Sequence, residues 1–351
     1  MNAASVSAAA PASTPACAPV LAVDDLTVRF VSRDATVHAV NGVSLRVGAR
    51  EVLCIIGESG SGKSVTLRAL MRLLPADRTR LGGSIRIDGT DVLALSERQL
   101  SMLRGATVSM VFQEPMTALD PVYTIGEQIV ETIVRHRRVT RREAQEQALA
   151  LLEHVRVPSP QRRLRAYPHE LSGGLRQRAM IAIALSCRPR LLLADEPTTA
   201  LDATVQIQTL VLLKQLQAQF GTSIVIVTHD LGVAAQIADK VAVMYAGQIV
   251  EYGAARDVLL APQHPYTRAM LASTVAGRPR ELELQTIAGS PPDLRALPPG
   301  CAFAARCPRA DSACSQATPP LRAAHGDGYV RCIHIDGASR AASDALAPAD
   351  R

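Results

Sequence analysis

The sequence predicts an α/β fold organised around a parallel sheet, and three observations predict it. The wholly apolar run VLCII leads into GESGSGKS and then KSVTLRALMRLL, the order of a buried strand, a glycine loop and a helix. Two further apolar runs, LLLAD and SIVIVTH, are separated by a helix-like stretch from Thr204 to Phe220, and such alternation builds parallel sheets. Upstream, LAVDDLTVRF and VNGVSLRVG alternate apolar and polar residues, which predicts an antiparallel β subdomain between Leu21 and Gly48.

The elements follow in order. The opening stretch MNAASVSAAAPASTPACAP lacks a basic n-region and its alanine run is broken by prolines, so residues 1–19 are expected to be a disordered tail rather than a secretory signal. A main domain over 20–262 comes next. Its glycine loop is followed by a helix that Pro75 should stop, then by GGSIRIDGTDV as a hairpin-like pair, then by VSMVFQEP, a strand ending in a loop at Gln113. Between Ile125 and Val155 apolar residues recur at intervals of three and four, which predicts a helical subdomain spanning about 115–175. Its arginines, Arg135, Arg137, Arg138, Arg141 and Arg142, read as a solvated face. After Pro262 proline becomes dense, and four of the seven cysteines fall between Cys301 and Cys332. Residues 263–336 are therefore expected to form a small cysteine-containing C-terminal extension, and 337–351 a second disordered tail.

Composition narrows the classes. The 351 residues include no Trp and only 3% aromatics, so aliphatic side chains must fill the core. A net charge of +6 suits nucleic acid or an anionic membrane face but requires neither. No run is long and apolar enough to span a bilayer, so a membrane role must act through partners. An odd number of cysteines with no export signal argues for a reducing compartment.

GESGSGKS fits the pattern G-x-x-x-x-G-K-[ST] over Gly57, Glu58, Ser59, Gly60, Ser61, Gly62, Lys63 and Ser64, with Val65 continuing the helix. In that context the amides of Gly60, Gly62 and Lys63 would cradle a β-phosphate at a helix N-terminus. Lys63 would reach the β- and γ-phosphates and the Ser64 hydroxyl would bind Mg²⁺. LLLADEP delivers Asp195 and Glu196 to the carboxyl edge of a strand, where ligands bind in α/β sheets. Asp195 would hold the magnesium through water, and Glu196 would act as general base on an attacking water.

A third element decides the class. LSGGLRQR, Leu171 to Arg178, resembles the signature loop of ABC-type ATPases, and Gln113 in VFQEP, Asp202 in TTALD and His229 in IVTHD complete six motifs in that family's order. The resemblance implies a P-loop NTPase of ABC type whose two ATPase domains sandwich ATP head to tail. Leu171, Ser172, Gly173 and Gly174 would then complete the partner's site, and Asp202 would line the dimer interface. His229 would contact the γ-phosphate, and Gln113 would link magnesium to the helical subdomain and the membrane partner. Phe30 fits an upstream aromatic that stacks on adenine, or else an ordinary core strand residue.

The phrases VFQEPMTALDP, YPHELSGGLRQR, THDLGVAA, MYAGQIVEYG, HPYTRAML and GCAFAARCP resemble the ATP-binding subunits of bacterial dipeptide/oligopeptide importers, a likeness running from Leu21 to about Ile335. It implies a peripheral ATPase on the cytoplasmic face of the inner membrane, working with two permease subunits, a second, paralogous ATPase and, indirectly, a periplasmic or surface peptide-binding protein. Two alternatives stay open: import of another solute such as nickel, and a soluble ABC ATPase acting on nucleic acid, against which only one copy of each motif is present. Leu175 departs from the glutamine common in ABC signatures.

Cys301, Cys307, Cys314 and Cys332 are separated by five, six and seventeen residues, unlike paired C-x₂-C zinc hooks. So small an extension calls for a cross-link. The family resemblance implies a 4Fe-4S cluster on these four; zinc, reduced thiols or disulfides remain alternatives. Cys17, Cys54 and Cys187 are expected to be ordinary residues.

Overall fold

The computed structural model describes residues 18–198, 203–273 and 286–335; Cys17, Asp202 and nearly all of both predicted tails lie outside them. Strand β1 (Leu21–Val31) pairs antiparallel with β2 (Thr36–Val47) and, after β3 (Val52–Ile56) and helix α1 (Lys63–Leu70), with β4 (Thr79–Ile87). β5 (Thr90–Asp91) closes this small sheet, in the order β2-β1-β4-β5. The glycine-loop helix ends at Leu70, short of Pro75: Arg72 turns into the left-handed region with φ of 49° and ends the helix before proline is reached.

The main sheet starts from β3 and adds β6 (Val108–Val111), which follows α2 (Glu97–Ala106), then β7 (Leu191–Asp195) and β8 (Ser223–Thr228). With β9 (Lys240–Tyr245) these run parallel, in the order β9-β3-β8-β7-β6. Both faces of β3 are buried, Val52, Cys54 and Ile56 in one apolar cluster and Leu53 and Ile55 in the other. That double burial is why the strand reads as an unbroken apolar run rather than an alternating one. Burial also pushes the Cys54 thiol up to about 12, which leaves it an inert packing residue.

The helical layer comprises α3 (Pro115–Ala118), α4 (Ile125–His136), α5 (Arg141–His154), α6 (Pro160–Arg163) and α7 (Gly173–Leu185). Thr124 and Thr140 start α4 and α5 with reciprocal capping boxes to Glu127 and Glu143, which fixes where these two helices begin. Cys187 lies just past the end of α7 rather than within it. Helices α8 (Ala203–Phe220) and α9 (Leu231–Ile237) link β7 to β8 and β8 to β9. No helix among the described residues is long and apolar enough to cross a membrane.

Beyond Tyr245 the chain folds back along its own sheet. β10 (Gln248–Ala254) pairs antiparallel with β9, helices α10 (Ala255–Leu260) and α11 (Pro265–Ala272) follow, and α12 (Ser312–Gln316) leads to β11 (Arg322–Ala323) and β12 (Tyr329–Val330). β12 pairs with β10, so the extension supplies two edge strands of the main sheet. Among the described residues it has no separate core: Phe303 is 1% exposed and packs 5.3 Å from both Tyr245 and Tyr266, while Tyr329 stacks on Tyr252 at 5.2 Å. The chain has only 6 Tyr and 4 Phe, and it spends Tyr245, Tyr252, Tyr266, Phe303 and Tyr329 on this seam. Buried Glu251 accepts from the Gln263 and His264 amides at 2.7 and 3.0 Å, tying the start of the extension to β10. Phe303→Ala should therefore lower the stability of the whole body by about 3–5 kcal/mol. A urea melt of the main sheet checks this, and an unmoved midpoint would mean that the extension packs independently.

Candidate active site

The site forms where parallel strands end together. Ile56 of β3 is level with Thr228 of β8, Val227 with Asp195 of β7, and Ala194 with Val111 of β6. The next residues, Gly57, His229, Glu196 and the loop to Gln113, consequently leave one edge of the sheet. The glycine loop is held against the β9–β10 turn, with the Gly247 amide donating to the Ser61 carbonyl at 2.8 Å. Two of its glycines are obligatory. Gly62 caps α1 at φ of 105°, and a Cβ there would lie 2.5 Å from the Ala39 carbonyl; at Gly57 it would lie 2.1 Å from the Met244 carbonyl.

Lys63 is buried and curls back, its Nζ donating to the carbonyls of Gly57 and Glu58, each at 2.8 Å. Burial lowers its pKa, opposed by the carboxylates of Glu196, Asp195 and Glu58. Ser64 Oγ donates to Asp195 Oδ1 at 2.7 Å. Asp195 is 1% exposed, and its Oδ2 is buried without a hydrogen-bond partner, 3.8 Å from Arg68. Burial raises its pKa, tempered by Ser64 and Arg68. A hydroxyl beside a carboxylate oxygen with unused acceptor capacity is a donor set that fits Mg²⁺, a hard cation that takes oxygen ligands.

Glu196 follows at φ of 44°, a left-handed backbone that stores strain at the end of β7. Its carboxylate is clasped from two sides: Gln113 Nε2 donates to Oε2 at 3.2 Å, and His229 Nδ1 lies 3.2 Å from Oε1. Glu196, Gln113 and His229 line a cleft of about 610 Å³ together with Ser59, Gly60, Gly62, Lys63, Ser64 and Val65. That volume falls within the usual range for a small-molecule site. Phe30, Val37 and Ala39 form its apolar side, so Phe30 faces the cleft while only half-buried. Gly57, Ser61 and the Glu58 side chain stand behind the loop and do not line the cleft.

The signature residues do not line this cleft. Leu171 is buried, Ser172 is the N-cap residue of α7 with no side-chain cap bond, and Gly173 and Gly174 open the helix. Their amides form a helix N-terminus of the kind that receives anions. Leu175 packs partly buried against the core, so the departure from glutamine serves packing. Gln177, unassigned from sequence although it stands in the same motif, is buried and donates to the Pro197 carbonyl at 2.7 Å, coupling α7 to the loop after Glu196. Leu294, from the extension, also lines the cleft; no sequence pattern pointed to it.

The four extension cysteines come together without a disulfide, Cys314 and Cys332 buried, Cys301 and Cys307 half-buried. The Cys301 amide donates to the Cys314 carbonyl at 2.7 Å. Burial raises the Cys301 thiol pKa, and Cys332, Cys314 and Cys307 raise it further by charge. A second donor set shares Cys314. Its sulfur, an Asp311 oxygen and a His334 ring nitrogen lie within 4.8 Å of one another, the only such group of three among the described residues.

Because the folded protein raises the pKa of Asp195, its charged form costs stability at neutral pH; that contribution is favourable only at low pH and is lost as pH rises through the raised pKa. Asp195→Asn should therefore be more stable than the nucleotide-free parent at pH 7, with the gap closing as pH falls into the ordinary carboxylate range. Thermal melts across that range measure it.

Comparison with known proteins places the chain. Residues 40–199 match the family described as ABC transporter, and 250–314 match the oligopeptide/dipeptide transporter C-terminal region. The oligopeptide transport ATP-binding protein OppD of Salmonella typhimurium is 50% identical over 86% of this chain and 90% of its own length. The dipeptide transport ATP-binding protein DppD of Bacillus subtilis is 47% identical over 86% and 90%. Among solved structures, the ATP-binding cassette MJ0796, as a post-hydrolysis dimer bound to ADP and Pi, superposes with a TM-score of 0.60 at 29% identity over 67% of this chain and 99% of its own. A fold with this strand edge, glycine loop and clasped glutamate, matched along most of its length by such relatives, belongs to the ABC ATPases, in the branch of oligopeptide and dipeptide transport ATP-binding proteins.

Proposed function

We propose that this chain is the energy-coupling ATPase of a peptide importer, hydrolysing ATP in the cleft below the glycine loop. The observation that carries the reading is the Glu196 carboxylate, held by Gln113 and His229 in a cleft that Lys63 and Ser64 also line, with buried Asp195 accepting from Ser64. The amides of Gly60, Gly62 and Lys63 bind the phosphates, and the Lys63 ammonium exchanges the loop carbonyls for phosphate oxygens. Phe30 supplies an apolar face for the base. Ser64 and Asp195, with Gln113 nearby, hold Mg²⁺, which supplies charge neutralisation to the phosphates when bound. Glu196 orients a water and accepts its proton as the water oxygen bonds to the γ-phosphorus and the bond to the ADP oxygen breaks. Positioning and charge stabilisation supply most of the rate.

The exposed N-terminus of α7 lies off this cleft, which supports a second ATPase domain supplying its signature residues across a head-to-tail interface, with Asp202 in that interface. We assign two permease subunits, a paralogous ATPase and an extracytoplasmic peptide-binding protein as partners, and the cytoplasmic membrane face as the location. Affinity purification of the tagged chain from detergent-solubilised membranes tests this: two hydrophobic subunits and a second ATPase are expected, and a lone chain bound to nucleic acid would refute it. Within the site, Glu196→Gln should keep ATP affinity while kcat falls about 100-fold or more. Lys63→Ala should lose nucleotide binding itself. Undiminished turnover in the first variant would remove Glu196 from the role of base.

For the extension, we infer a 4Fe-4S cluster held by Cys301, Cys307, Cys314 and Cys332. Thiolates suit zinc or iron-sulfur. A tetrahedral zinc site with Zn–S near 2.3 Å needs closely spaced sulfurs, whereas among the described residues no three of these cysteine sulfurs lie within 4.8 Å of one another. A cluster that inserts its own irons and sulfides between the thiolates suits the wider spacing. Iron and acid-labile sulfide should both be present in anaerobically purified protein. One zinc per chain without sulfide would overturn the assignment and favour a site that includes Asp311 and His334.

A further inference from the structure

Arg306 makes contacts that nucleotide hydrolysis, as described above, leaves without a purpose. Its side chain is 5% exposed, and every guanidinium donor is engaged. Nη1 and Nη2 form a two-pronged pair with the Glu58 carboxylate at 2.8 and 3.1 Å, and Nη1 also reaches Tyr245 Oη at 3.2 Å. Nε donates to the Ala288 carbonyl at 2.9 Å and Nη2 to that of Ile287 at 3.2 Å. Three of these five bonds, to Tyr245, Ala288 and Ile287, would hold any arginine in place within the seam; what is particular is that the acceptor of the other two belongs to the phosphate loop.

Glu58 is the second residue of that loop. Its carbonyl receives Lys63 Nζ, and its amide donates to Tyr266 Oη at 2.9 Å. The residue that parks the lysine is thus gripped by its side chain and its amide, in both cases from the C-terminal part of the chain. A second contact comes from the same region: the His38 amide donates to the Leu294 carbonyl at 2.8 Å, and Leu294 lines the cleft on the side of Phe30 and Val37.

A loop rich in glycine and serine would otherwise have to be ordered when nucleotide arrives, which costs affinity. A bidentate arginine–carboxylate pair fixes both distance and orientation, so it can carry that order in advance. The groups around Glu196 leave β6, β7 and β8, not this loop, and do not touch Arg306. We propose that Arg306 is a positioning residue for ATP, pre-ordering the phosphate loop through Glu58, so that the C-terminal extension is part of the nucleotide site. The proposal rests on the ATP-site reading above.

The test measures equilibrium binding of trinitrophenyl-ATP to the full chain, with KM and kcat for ATP, in Arg306→Met, Arg306→Lys, Glu58→Gln and the double variant Arg306→Met/Glu58→Gln. Loss of the charged pair should raise Kd and KM about tenfold, with kcat changed less than about threefold. Lysine, which lacks the planar fork, should recover only part of the affinity. The double variant should bind no more weakly than Arg306→Met alone, because the two residues act as one unit. Wild-type affinity in a folded Arg306→Met protein, or single losses that simply add, would overturn the proposal. If Arg306→Met fails to fold, Glu58→Gln decides, since it keeps every extension residue and leaves Arg306 its bonds to Tyr245, Ala288 and Ile287; unchanged affinity there is equally fatal. Lys63→Ala separates the two readings: if it binds the probe like the parent, the ATP-site assignment fails whatever Arg306 does.

Discussion

The level register of four parallel strands is the constraint on which the rest depends. Because β3, β8, β7 and β6 end in step, residues scattered from Gly57 to His229 leave one edge at matched heights. The glutamate is then held by Gln113 from one side and His229 from the other. A one-residue slip in any of these strands would turn its buried side chains to the opposite face and move its terminal residue off the site. With both sheet faces packed in apolar clusters, such a slip is strongly opposed.

The same edge concentrates charge that the protein's own groups only partly balance. Burial weakens the protonated state of Lys63 and the ionised state of Asp195, and each is held by neutral or partial partners: loop carbonyls for the lysine, a serine hydroxyl for the aspartate. Phosphate oxygens and a divalent cation would answer these two imbalances with opposite charge. The left-handed backbone at Glu196 adds a local strain of the same kind, stored where chemistry happens.

The extension solves a different problem. With so few aromatic residues, a short proline-rich segment cannot build a core of its own. It borrows one, placing Phe303 between Tyr245 and Tyr266 and adding β11 and β12 to the sheet edge. That docking also carries Arg306 and Leu294 to the back and side of the nucleotide cleft. Cys307 adjoins Arg306 in the chain, so the cysteine group and the seam share one segment.

Much of this was legible in the sequence, for stated reasons. A buried parallel strand must be continuously apolar, so VLCII, LLLAD and SIVIV announce the sheet; a phosphate loop must have glycine where a Cβ would strike backbone, so GESGSGKS announces the site. The threonines and glutamates that cap α4 and α5 also stand at readable spacing. Other features were not legible because they depend on residues far apart in the chain. The early end of α1 came from a left-handed residue and not from the visible proline, and the pairing of β10 with β12 joins segments some eighty residues apart by about the same logic as any non-local ladder. By itself, the sequence determined the strand–loop–helix chemistry and the six motifs, since local backbone geometry and short spacing set both. Only the tertiary structure decided that Glu58 turns its carboxylate to Arg306, that Leu294 reaches the cleft and that the extension shares the main core, because burial and hydrogen bonding across the fold, not local pattern, choose those partners.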